Sequence, residues 1–223
     1  MKKLLLVFVC ISIIFGGCSF ENLKPAEIKK IENYNKKIAK EKEYEEKINE
    51  GRELLFKEKN YEKAKAVFVS ASIIDFERSE NDSKFYYYLG LTEYKLKKYS
   101  DAFWCFDKAI QISDRDSLIY EARGDLNFDL ENWEDSIEDY SNVIKFNGGI
   151  FYIADIYKRR GVAYLNLKQY EDAIKDFEFV VKRNKYDSET YFLLGKTYLD
   201  AGNTEESLKN FEQAKKLGYF ENK

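Results

Sequence analysis

The chain is predicted to be all-α, a solenoid of about five helix–turn–helix units preceded by a charged helix, and three observations predict it. A glycine returns at near-constant spacing: Gly90, Gly124, Gly161 and Gly195 lie 34, 37 and 34 residues apart, each with a tyrosine four positions earlier at Tyr86, Tyr120, Tyr157 and Tyr191. Twelve residues after each glycine stands a small residue (Ala102, Ser136, Ala173, Ser207), and four later an aromatic (Phe106, Tyr140, Phe177, Phe211). Between these marks, apolar residues recur at helical spacing, as in Tyr191–Tyr198 and in Ile174, Phe177, Val180 and Val181. A period near 34 residues is one supersecondary unit repeated. A glycine in a helix interior costs about 1 kcal/mol against alanine. Four at one phase therefore imply a close helix crossing, with the aromatic filling the space beside it.

Residues 1–17 stand outside this array. Lys2 and Lys3 precede an apolar run from Leu4 to Phe15, interrupted only by Ser12, and Gly16-Gly17-Cys18 follows. A spanning helix needs about 20 apolar residues, so the run reads as an export signal. Small residues directly before a cysteine resemble the bacterial lipobox, with Phe15 where that motif has leucine, valine or isoleucine. The resemblance implies cleavage before Cys18, acylation of Cys18, and a lipoprotein held to a membrane at the periplasmic face or cell surface. An uncleaved or conventionally cleaved signal is the alternative. One acyl chain anchors only marginally, so stable attachment takes more than one.

Residues 18–25 then form a linker containing the sole proline, Pro25. Residues 26–47 are densely charged, with Glu–Lys pairs at i,i+4 such as Glu32–Lys36 and Glu43–Lys47. Ile28, Ile31, Tyr34 and Ile38 make a narrow apolar stripe. This segment is expected to be a helical spacer, or to cap the array by docking its stripe.

Five units fill residues 48–217, at about 46–79, 83–116, 117–150, 154–187 and 188–217, leaving a tail at 218–223. The first is degenerate: Tyr61, Ala64, Phe68 and Ala71 fit the pattern, with Arg52 read at the glycine site. The units resemble the tetratricopeptide repeat (Trp-x2-Leu-Gly-x2-Tyr, then Ala-x3-Phe, then Pro). Tyr157-x2-Arg-Gly161-x2-Tyr164 with Ala173-x3-Phe177 carries the likeness, as does Tyr191-x2-Leu-Gly195-x2-Tyr198 with Ser207-x3-Phe211. The repeat-ending proline is absent, Phe76, Asp114, Gly148 and Lys185 taking its places. The resemblance implies a right-handed superhelix whose first helices line a concave groove. Its phases then put Phe56, Tyr94, Phe128, Leu165 and Leu199 in an apolar column, beside Leu91, Asp125, Val162 and Lys196, and Tyr87, Glu121, Lys158 and Phe192. This predicts an aromatic band, acidic at units one and three and basic at units four and five, suited to an extended or helical peptide with apolar anchors. Packing between neighbouring first helices is the competing role for the column, most evenly for Phe128 and Leu165. The family's clamp for acidic C-terminal tails needs Lys and Asn where Tyr87, Leu91, Glu121 and Asp125 stand here, so that clamp is absent.

Chemistry has few candidates. There is no histidine, which removes the commonest general base and transition-metal ligand. Cys105 adjoins the core aromatic Phe106 and reads as a buried thiol. With Cys18 modified, Cys105 has no disulfide partner. Carboxylates such as Asp125, Asp129, Glu131, Glu134 and Asp135 read as solvated helix faces. No catalytic, cofactor or metal site is expected. Without Lys2 and Lys3 the chain has 35 basic and 40 acidic residues, which argues against a nucleic-acid partner. Trp104 is expected on the outer face, either as a second contact or covered by the joint that follows. The helix 204–217 is expected to leave an apolar edge open, for a partner or a second copy. The expectation is a non-enzymatic, membrane-anchored scaffold binding a protein or peptide in a bacterial envelope complex. A self-associating structural protein and a glycan-binding wall factor are the alternatives.

Overall fold

The computed structural model describes residues 24–146 and 153–219. Cys18, the leader and the Gly148-Gly149 joint lie outside the described residues. The described chain holds eleven α-helices: α1 (Pro25–Glu53), α2 (Tyr61–Ile74), α3 (Phe76–Ser79), α4 (Ser83–Lys95), α5 (Tyr99–Ile112), α6 (Ser117–Asp129), α7 (Trp133–Phe146), α8 (Ile153–Asn166), α9 (Tyr170–Arg183), α10 (Ser188–Asp200) and α11 (Thr204–Lys216). Units two to five are the pairs α4/α5, α6/α7, α8/α9 and α10/α11. Unit one is the end of α1 with α2.

Each pair turns the same way. Lys97, Glu131, Lys168 and Gly202 all adopt left-handed backbone seven residues after their unit's glycine, with φ of 59°, 59°, 59° and 83°. The turn closes with Lys98, Asn132, Gln169 and Asn203 donating back to the carbonyls of Glu93, Asn127, Tyr164 and Tyr198 at 2.8–2.9 Å, which ends the first helix in a Schellman turn. First helices start on Asp82, Asp116 and Asp187, whose carboxylates accept from backbone N–H groups one turn in.

The glycines sit where the periodicity places them. A Cβ on Gly90 would lie 2.7 Å from the Phe106 ring, and one on Gly161 2.7 Å from the Phe177 ring. The aromatic thus packs directly against its own unit's glycine. Ala64, Ala102, Ala173 and Phe68, Phe106, Phe177 are fully enclosed.

Unit one departs from the sequence reading. Its glycine is Gly51, which faces the Phe68 ring, and Arg52 is exposed. Gly51 stands thirteen residues before Ala64 instead of twelve, and the extra residue is absorbed in a π-helical turn at Leu54–Glu58. That insertion made Arg52 look in phase. The boundary at residue 47 is also absent, because α1 runs unbroken for 29 residues. Its first buried residue is Tyr44, whose hydroxyl donates to Asp82 at 3.0 Å. Tyr44, Ile48 and Gly51 pack on the array, whereas of the stripe Ile28, Tyr34 and Ile38 are exposed and only Ile31 is half-buried. Among the described residues no helix is long and apolar enough to cross a membrane.

The far end also departs. On α11 the large exposed hydrophobic is Leu208, and around it stand Glu205, Lys209, Glu212 and Lys216, all exposed. The expected open apolar edge is therefore largely polar. Tyr219 turns back to stack on Phe192 with ring centroids 4.6 Å apart.

Candidate binding groove

Successive first helices touch one another along the whole array, α1 on α4, α4 on α6, α6 on α8 and α8 on α10. Second helices pack mainly on the first helices before and after them. The array therefore bends toward its first helices, and their free faces form the inner wall.

At unit two this wall is aromatic. Tyr87, Leu91 and Tyr94 are half-buried, packed against the core at their bases. Tyr88, one position on from Tyr87, was not foreseen; it lies 5.2 Å from Tyr87 and edge-on to Phe56 at 6.2 Å, with the Arg52 guanidinium 5.2 Å from its ring. Phe56 is exposed and borders a 340 Å³ hollow with Asn49, Arg52, Glu53 and Lys57. The π turn rotates Phe56 outward while Leu55 takes the buried place.

At unit three Phe128 is half-buried against the Trp133 and Tyr140 rings at 5.2 and 6.4 Å, so it divides its surface between core and wall. Val162 and Leu165 likewise pack against the core of units four and five. Phe192 is half-buried, with the Phe211 and Tyr219 rings 5.5 and 4.6 Å from its own. Lys196 and Leu199 are exposed.

The charged positions mostly pair across unit boundaries. Asp125 accepts from Arg159 of the next unit at 2.6 Å and from the Tyr140 hydroxyl at 2.8 Å. Lys158 reaches Glu189 at 3.0 Å and Asp187 at 3.2 Å. The Tyr94 hydroxyl donates to Asp129. The wall is thus less acidic at Asp125 and less basic at Lys158 than their side chains alone imply. Burial raises the Asp125 carboxyl above the usual range, against the pull of Arg159 and Tyr140. Burial works against the Lys158 ammonium, but Glu189 and Asp187 overcome it and raise its pKa. Arg159 escaped the sequence reading because its phase carries Tyr88, Ala122 and Leu193 elsewhere.

Glu121 differs. It is half-buried and makes no hydrogen bond or ion pair among the described residues. Burial raises its carboxyl, and Asp125 and Asp155 add to the rise against Arg159. Beside it the Tyr87 hydroxyl is pushed up to about 12, by burial first.

Trp104 is 54% exposed on the outer face, edge-on to Tyr86 at 5.6 Å. Further large hydrophobics are exposed on α2 and α3, Val69, Ile73 and Phe76, at phases where unit two carries Asp107, Gln111 and Asp114. Cys105 is buried as expected, and burial pushes its thiol up to about 12. Among the described residues no cluster of His, Cys, Asp and Glu could hold a metal ion.

Tetratricopeptide repeat models match residues 154–187 and 188–217, the fourth and fifth units. No curated protein matches the chain. Among solved structures it is similar to MamA, at TM-score 0.68 and 19% identity over 78% of this chain and 91% of that one. It is similar to YrrB, described as a TPR protein with an unusual peptide-binding site, at 0.67 and 19% over 77% and 84%. Pseudomonas aeruginosa pilF follows at 0.63 and 14% over 82% and 79%. At these identities the likeness is one of fold, and the chain is a solenoid of tetratricopeptide-type units.

Proposed function

We propose that this protein is a non-enzymatic scaffold that binds a peptide segment of a partner protein along the inner wall of its first helices. The carrying observation is the half-buried aromatic and aliphatic set Tyr87, Leu91 and Tyr94 on a wall where Asp125 and Lys158 are already engaged in ion pairs. Rigid aromatic surface of this kind provides binding anchors at small entropic cost. A solenoid supports such a role because each unit presents one helix to the same groove. Residues 1–18 add the finer reading, which their likeness to the lipobox supports. In it the chain is exported, acylated at Cys18 and membrane-bound, so the groove serves a bacterial envelope complex.

The test captures proteins from detergent-solubilised envelopes on the immobilised full-length protein. A parallel column carries Tyr87→Asp, Leu91→Asp and Tyr94→Asp together, after circular dichroism shows that variant folded. A protein held by the first column and lost from the second supports the groove; equal retention on both removes it. Separately, mass spectrometry of the purified protein should find Cys18 as an acylated N-terminus. A Cys18→Ser variant should then leave the membrane fraction, and an unmodified Cys18 would remove the anchor from the reading.

A further inference from the structure

We propose that the groove receives a lysine or arginine side chain of its bound peptide at Glu121, between Tyr87 of unit two and the Asp125–Arg159 pair. This rests on the groove reading above and names the chemistry of its occupant.

Glu121 and Asp125 stand one turn apart on α6, on the same face. Arg159 is the cation that reaches this face from α8, and it is committed to Asp125 at 2.6 Å. Tyr140, from α7, is committed to the same carboxylate at 2.8 Å. Lys158 is engaged by Asp187 and Glu189 in the opposite direction, toward unit five. Glu121 is therefore left without an ion-pair partner among the described residues, Arg159 acting on it only from a distance, and residues 147–152, just before α8, contain no lysine or arginine. Asp125 and Asp155 add negative potential at Glu121, and Asp116, Glu121 and Asp125 all bear on the Tyr87 hydroxyl.

A half-buried carboxylate among like charges is unfavourable in the empty groove and becomes favourable once a cation arrives. Lysine or arginine suits the site best, because its stem can lie along Tyr87 and Leu91 while its head reaches Glu121. The Tyr87 ring adds a cation–π face. An acidic peptide would meet Glu121, Asp125 and Asp155 together and be repelled.

The probe is a displayed library of random 12-residue peptides, panned on the immobilised full-length protein. Enriched sequences are then synthesised with lysine or arginine and with norleucine in its place. The expected result is one basic residue at a fixed distance from an aromatic or aliphatic anchor. Norleucine should weaken binding by about tenfold, the scale of a lost charge-assisted contact. On Glu121→Gln, which is nearly isosteric, the basic and norleucine peptides should bind within about twofold of each other. Enriched peptides that are lost on Leu91→Asp yet bind equally with norleucine would overturn this inference and leave the groove standing. Enriched peptides indifferent to Leu91→Asp, or no enrichment at all, would overturn both.

Discussion

Each unit turns on a few residues whose cost is visible in isolation. The Phe177 ring occupies the space a Cβ on Gly161 would need, so Gly161→Ala should destabilise by about 1–3 kcal/mol in urea unfolding. Lys97 and Lys168 hold left-handed backbone that disfavours side chains by about 1–2 kcal/mol, of which glycine's extra chain entropy takes back part. Lys168→Gly should therefore raise stability by up to about 1 kcal/mol, as Gly202 already does for unit five. Inside unit four, Arg160 grips Asp176 with two hydrogen bonds of 2.8 Å, both side chains largely enclosed. Unit two has Leu89 and Cys105 at these two phases. Arg160→Leu alone should cost about 3–5 kcal/mol by stranding a buried carboxylate, and adding Asp176→Cys should recover most of it. Glu121 is a raised carboxyl, so its penalty is fully present above its folded pKa and fades as pH falls through that pKa toward the unfolded value. Glu121→Gln should thus raise the melting midpoint at neutral pH, with the gain shrinking on acidification.

Helix length and phase carry the next level of consequence. The π turn at Leu54–Glu58 is one inserted residue housed inside a helix. Deleting Lys57 restores the twelve-residue spacing of the other units, and should leave the melting midpoint unchanged or raised. Deleting Lys97, the left-handed residue that closes the turn after α4 as Lys59 does in unit one, should lower it. A lower midpoint for the Lys57 deletion would show that the π turn itself is needed for packing. The amino half of α1 is a different case. Its Lys and Glu residues support a helix by local pairs, such as Lys42–Glu46 at 3.7 Å, each adding only tenths of a kcal/mol. Nothing before Tyr44 is buried. The charged composition of residues 26–47 was readable as a helix, but its seamless entry into unit one was not. The same helical period continues across the joint, and only the partner surface changes.

Across the whole molecule, stability is a sum of units and the interfaces between neighbours. Truncation after Arg183 removes α10 and α11 and uncovers Phe177, Val180 and their neighbours. It should lower the midpoint and cause association at micromolar concentration, read by light scattering. With α10 and α11 present, the polar face of α11 and the Tyr219 stack on Phe192 lie over this surface's place in the array. By itself the sequence determined the all-α class, four of the five glycines, the aromatic rings that cover them and the buried Cys105. It could do so because those are spacing rules within one unit, repeated until chance is excluded. The phases of Tyr87, Leu91 and Tyr94 were legible for the same reason. The tertiary structure alone decided that Gly51 and not Arg52 is the first unit's glycine, and that Asp125 and Lys158 are spent on pairs. It also decided that Phe192 stacks on Tyr219 and that Glu121 has no ion-pair partner among the described residues. Those outcomes depend on which side chains from different units meet. Superhelical stacking sets that meeting, and a repeat period measured within one unit does not contain it.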